Sequence, residues 1–197
     1  MSIYPSVVSF IREIRSGSSL PLVVSADDGK TYIMKLSGAG EGVHALIAEW
    51  TASHLAAATG IPVLEPVILH FDNSVMPHGI DPEITELAQR STELNLGTLY
   101  IPNSHPPKDA DFAALSPQMR DIIFLTDLLL MNIDRTRKNP NMLVQNNQLF
   151  CFDYSASFTV NDIVNGRNTS GGKVLQLMRR HLFYNNAISG EQIDAVC

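Results

Sequence analysis

Asp134, Asn139 and Asp153 carry oxygen atoms at a spacing that could do chemistry. Asp134 and Asn139 lie five positions apart in the polar run 131–143, which follows an apolar segment and precedes an expected β-hairpin. Asp153 closes the second strand of that hairpin, after Leu149, Phe150, Cys151 and Phe152, so the hairpin returns the chain to where the loop began. Asp134 could take the proton of an acceptor hydroxyl. Asn139 and Asp153 offer the hard oxygen donors that suit Mg²⁺. Lys35, alone in the apolar stretch 32–36, adds a cation for phosphate oxygens. The chemistry these residues suit is phosphoryl transfer, which needs positioning and charge neutralisation more than covalent help.

Each residue alone also fits a plainer role. Asp and Asn cap loops, Asp153 could cap the next turn, and a lone lysine on an edge strand guards against edge pairing. The joint arrangement favours the chemical reading. Thr31, Ile33 and Lys35 share one strand face and Tyr32, Met34 and Leu36 the other, so both faces are mostly apolar and Lys35 needs a partner. Glu49, set among Ala45, Leu46, Ala48 and Trp50, is the natural one. An Asp, an Asn five later, an apolar strand ending in Asp, and an upstream Lys–Glu pair form the arrangement of protein-kinase-like enzymes. Gly17, Ser18 and Ser19 precede a strand and could cover phosphates, although they form no Walker loop.

The elements that must position these groups follow from periodicity and turn chemistry. Val7, Phe10, Ile11 and Ile14 predict a short amphipathic helix over 6–15. Residues 20–25 and 30–36 read as strands joined by the turn 26–29, and 38–42 as a glycine-rich link. A helix is expected over 43–59, ended by Gly60 and Pro62, and a strand over 63–71, with Pro66 favouring an edge position. A short helix is expected over 82–90, a strand over 99–101 and a loop over 103–109. Ser116 and Pro117 start a helix that runs through Leu130 and reads as buried on most sides. Strands 142–145 and 148–152 turn at Asn146 and Asn147. A last helix over 171–185 carries a basic patch of Arg179, Arg180 and His181. The fold class expected is α+β: a small β-rich N-lobe over 1–102 and a mostly helical C-lobe with a metal-site hairpin over 103–197.

Bulk properties narrow the class. The chain has 197 residues, 45% of them hydrophobic and 17% charged, which is enough to bury a core. A net charge of −6 argues against direct nucleic-acid binding. The two cysteines, Cys151 in an apolar strand and Cys197 at the end, make no disulfide framework. No signal peptide and no membrane-length apolar run stand out, so a cytoplasmic protein without a membrane partner is expected. The histidines lack zinc-site spacing, and Gly-x-Ser-x-Gly is absent, which disfavours zinc and serine-hydrolase chemistry.

Asp127 to Arg135, with its Asn-x-Asp-Arg core, and the following Asn139-Pro140-Asn141-Met142-Leu143 resemble the HipA-like kinases. The strand ending Phe152-Asp153-Tyr154-Ser155 is similar to their second metal-binding strand. Gly17 to Val23, Asp28 to Lys35, the helix bearing Glu49, and Gly60-Ile61-Pro62-Val63 are similar to the N-lobe of shorter members. The resemblance implies a two-lobed protein-kinase-like fold, shared distantly with phosphatidylinositol kinases. It implies phosphorylation of a protein serine or threonine by Mg²⁺–ATP, with Asp134 as base, Asn139 and Asp153 as metal ligands, and Lys35 on the phosphates. Better-known relatives are toxins restrained by an antitoxin, which makes a regulatory protein partner an expectation too. Ser18 or Ser19 is then a candidate autophosphorylation site, where a phosphate would repel the nucleotide. Two alternatives stay open: an inactive nucleotide-binding pseudokinase that docks a partner, and a small-molecule or lipid phosphotransferase.

Overall fold

A computed structural model of the chain describes residues 3–15, 20–40, 42–167 and 170–184. Five strands, β1 (Val7–Glu13), β2 (Leu22–Ala26), β3 (Thr31–Lys35), β4 (Pro66–Phe71) and β5 (Glu93–Leu99), form one antiparallel sheet in the order β1-β2-β3-β5-β4. Helix α1 (Val43–Ala58) follows β3, and α2 (Pro82–Arg90) lies between β4 and β5. The second half is mostly helical, with α3 (Asp109–Ala114), α4 (Pro117–Leu129), α5 (Val160–Val164) and α6 (Gly171–Met178) around the hairpin of β6 (Met142–Gln145) and β7 (Gln148–Cys151). This is the expected mixed α+β arrangement.

The helix expected over 6–15 is strand β1. Its pairing with β2 slips twice, between Val7 and Ser9 and between Phe10 and Arg12. Each bulge sets two residues against one. The less exposed residues of β1 therefore recur at every third position, Val7, Phe10 and Glu13, which imitates helical spacing. Strand β5 replaces the expected strand over 99–101 and lies inside the sheet, between β3 and β4. Buried Asn95 and Gly97, both poor strand formers, hid it. A Cβ on Gly97 would come within 2.5 Å of Leu69 Cδ1, so glycine here leaves room for that buried side chain of β4. Asn95 accepts from Ser37 N–H at 2.8 Å and donates to Ser91 O at 2.7 Å, which pins the chain just after Lys35. Pro66 opens β4 on the sheet edge, where its missing N–H costs no ladder bond.

Two main cores hold these layers. Leu22, Val24, Met34, Leu69 and Phe71 pack with Ile84 and Ala88 of α2 on one side of the sheet. Ala52, Ala56 and Ile61 pack with Ile123, Leu130, Met142 and Cys151, so the far end of α1 is built into the helical half. The inner face of α1 is Ala45, Ala48, Glu49, Ala52, Ser53 and Ala56; its small side chains let the backbone approach closely. Helix α4 starts as expected, Ser116 Oγ accepting from Met119 N–H at 3.1 Å. It is not buried on most sides: Leu125 and Leu129 are 53% and 78% exposed while Asp127 is fully buried. Positive φ at Asn146 and Asn147, 50° and 61°, closes the β6–β7 hairpin as expected. The last helix ends at Met178, and His181 is buried rather than part of a surface patch. Cys151 is buried and unpaired; Cys197 and the end of the expected helix lie outside the described residues. Among the described residues, no helix is long and apolar enough to cross a membrane.

Candidate active site

The chain order around β3 and α1 aims two opposite charges at each other. Lys35 ends β3 and Glu49 sits on the second turn of the buried face of α1, so Lys35 Nζ lies 2.7 Å from Glu49 Oε2. The same ammonium lies 2.6 Å from Asp153 Oδ1, which joins the sheet to the segment after β7. Burial works against the Lys35 charge, but Glu49 and Asp153 outweigh it and hold its pKa above the usual value. Burial pushes the Glu49 carboxyl up, only partly offset by Lys35. Burial also acts to raise Asp153, yet Lys35 and the Ser155 hydroxyl prevail and its carboxyl falls below the usual range. Ser155 Oγ donates to Asp153 Oδ1 at 2.6 Å, and Asp153 adopts φ of 55°, a left-handed conformation that side chains other than Gly, Asn and Asp rarely take.

Asp134 faces this trio across the cleft. Its Oδ2 accepts from Asn139 Nδ2 at 2.7 Å and from Asn141 Nδ2 at 3.3 Å. Lys35, Glu49, Asp134, Asn139, Asn141 and Asp153 line one cavity of about 470 Å³, whose other walls include Ile33, Leu96, Leu143 and Phe152. All the expected residues that can be described are therefore brought together. Gly17, Ser18 and Ser19 lie outside the described residues, while Ile14 and Pro21 on either side line the same cavity.

Behind the loop is a second charged cluster that the sequence reading did not assign. Asp127 Oδ2 accepts from Arg135 Nε at 2.6 Å and from His181 Nε2 at 2.9 Å, and its Oδ1 accepts from Asn132 Nδ2 at 2.9 Å. Phe183 N–H donates to His181 Nδ1, which leaves Nε2 as the protonated nitrogen toward Asp127. Arg135 Nη1 donates to the carbonyls of Pro140 and Asn141 at 3.1 and 2.7 Å, and its guanidinium stacks over Tyr154, 4.8 Å from the ring centre. Arg135 thus grips both ends of the loop that carries Asp134 and Asn139. The signal was an Asp at the helix end and an Arg beside Asp134; burial, which sequence spacing does not show, decides their role. Burial also pushes the neighbouring Cys151 thiol up to about 11, which leaves it a hydrophobe rather than a nucleophile.

The donor set fits Mg²⁺. Asn139 spends its amide N–H on Asp134, and the contacts of Asp153 fall on Oδ1. One amide oxygen and one carboxylate oxygen in the same cavity therefore remain for a hard cation. No group of three or more His, Cys, Asp or Glu able to hold a metal occurs among the described residues. Two oxygen donors suit an ion that keeps several waters and takes phosphate oxygens.

Comparison with known proteins bears on the fold and the family. The kinase CtkA of Helicobacter pylori, described as proinflammatory, superposes with a TM-score of 0.53 at 13% sequence identity, over 78% of this chain and 60% of that one. At that identity the likeness shows the fold, and this chain spans only 60% of the length of CtkA. No curated protein matches the sequence. Residues 7–171, which include every site residue above except His181 and Phe183, match the profile of the HipA-like kinases. The chain belongs to the HipA-like kinase family.

Proposed function

We propose that the protein transfers the γ-phosphoryl group of ATP, bound with Mg²⁺, to a serine or threonine hydroxyl of a protein. The observation that carries this reading is Lys35 Nζ held between Glu49 and Asp153 in the cavity that also holds Asp134. Lys35 is set to contact the nucleotide phosphates, with Glu49 as its anchor. Asn139 and Asp153 would hold Mg²⁺, which supplies neutralisation of phosphate charge; buried Asn141, on the same cavity wall, is a further oxygen donor. Asp134, steadied by two amide N–H groups, accepts the proton of the acceptor hydroxyl as its oxygen bonds to the γ-phosphorus and the bond to the ADP oxygen breaks. The apolar walls Ile33, Leu96, Leu143 and Phe152 suit the flat face of an adenine. The lobe division proposed near residue 102 then falls just after β5.

Incubation with γ-labelled ATP and, in separate reactions, lysate protein, phosphoinositide or aminoglycoside tests the reading. Label on protein serine or threonine, lost in Asp134→Asn, is expected. Transfer only to the lipid or the aminoglycoside would overturn the protein-kinase assignment.

A further inference from the structure

Four cations gather beside the loop that carries Asp134 and Asn139, in a chain whose net charge is −6. Thr136 and Asn139 bond to each other through both backbone groups, at 3.0 and 3.2 Å. Arg137 and Lys138 therefore form the tip of a tight turn, between Asp134 and Asn139 in sequence. An antiparallel bridge joins Thr136 to His181, and Leu182 N–H donates to Arg135 O at 3.0 Å. In that register Arg180 falls beside Arg137, with Arg179 next to it. All four side chains are exposed. Arg137 pairs with Asp109 at 2.7 Å, but these side chains are 73% and 84% exposed, and such surface pairs contribute little. Lys138, Arg179 and Arg180 form no ion pair among the described residues. The fold has thus brought together exposed like charges from positions some forty apart in sequence, three of them without an ion pair among the described residues.

We infer that this cluster is a docking surface for an acidic segment of the protein substrate, adjoining the acceptor hydroxyl. The inference rests on the phosphotransferase reading and adds a substrate class to it. A short acidic peptide fits better than RNA. Four cations neutralise a few carboxylates, whereas the overall negative charge of the protein repels a long polyanion.

Fluorescence anisotropy on the full chain, without nucleotide, tests it. The probes are labelled peptides with one central serine flanked by glutamate, glutamine or lysine, and an oligouridylate. The glutamate peptide is expected to bind tightest, about tenfold over the glutamine peptide at low salt, with the preference falling as salt rises. Lys138→Glu/Arg180→Glu should abolish that preference. Lys30→Glu, just before β3 and away from Lys35, should keep it. Equal binding of the glutamate and glutamine peptides, or an undiminished preference in the double variant, overturns the inference. Tighter binding of the oligouridylate overturns it in favour of RNA. A thermal shift with Mg²⁺–ATP on the same samples separates the two claims. Peptide preference without a nucleotide shift would leave the surface standing and remove the phosphotransferase reading, and the reverse result would do the opposite.

Discussion

Two clusters in this molecule use the same parts, carboxylates paired with a cation, to different ends. In the cleft, Lys35, Glu49 and Asp153 have side chains 15%, 3% and 28% exposed. Behind the loop, Arg135, Asp127 and His181 are all within 1% of full burial. A ligand can reach the first cluster and exchange partners with it: phosphate oxygens can take over part of Lys35, and a cation part of Asp153. Nothing reaches the second, whose bonds run inward to Asn132 and to the carbonyls of Pro140 and Asn141. Partial solvent access, not charge, separates the replaceable pair from the scaffold. The scaffold still serves the site, because Arg135 is next to Asp134 and closes the loop around it.

The largest effect should come from the dry cluster. Asp127→Ala leaves Arg135 charged and unpaired in the interior, so a loss of about 3–5 kcal/mol is expected from urea unfolding. Lys35→Met should cost clearly less, since Glu49, whose carboxyl burial already pushes up, can take a proton. An equal or greater loss in Lys35→Met would break the comparison. In the cleft, Asp134→Asn should lower phosphoryl transfer by about 10²–10⁴ while nucleotide affinity changes little, measured by labelled-ATP transfer beside a thermal shift. Acid should act through both clusters. Burial favours raising the Asp127 carboxyl, but Arg135 and His181 prevail and hold it low, and Asp153 is also held low. Each depressed carboxyl contributes stability that is present above the unfolded value, near about pH 4, and is lost as pH falls through its lower folded value. Urea midpoints should therefore fall steeply below about pH 4, and less steeply in Asp153→Asn. The smallest effect is expected for Arg137→Ala, under about 1 kcal/mol in the same unfolding assay, because its pair is open to water.

The cleft trio was legible because its residues stand out against their surroundings: a lysine in an apolar strand, a glutamate in an alanine-rich helix, an aspartate at the end of an apolar hairpin. The dry cluster was not, since Asp127, Arg135 and His181 look like ordinary surface charges until the packing of α6 and α4 buries them. The same blindness to packing turned β1 into a helix, through two bulges, and hid β5, whose Asn95 and Gly97 answer to neighbours rather than to strand propensity.

A thermal-shift titration with ATP, with and without Mg²⁺, on the wild type and on Asp153→Ala tests the central claim most directly. A ligand that binds only the folded state stabilises it by about 2.7 kcal/mol at a hundred times its Kd. The cleft account predicts a rise of several degrees that needs Mg²⁺ and disappears in Asp153→Ala. An equal rise in the variant, or none in the wild type at saturating ATP, would contradict it.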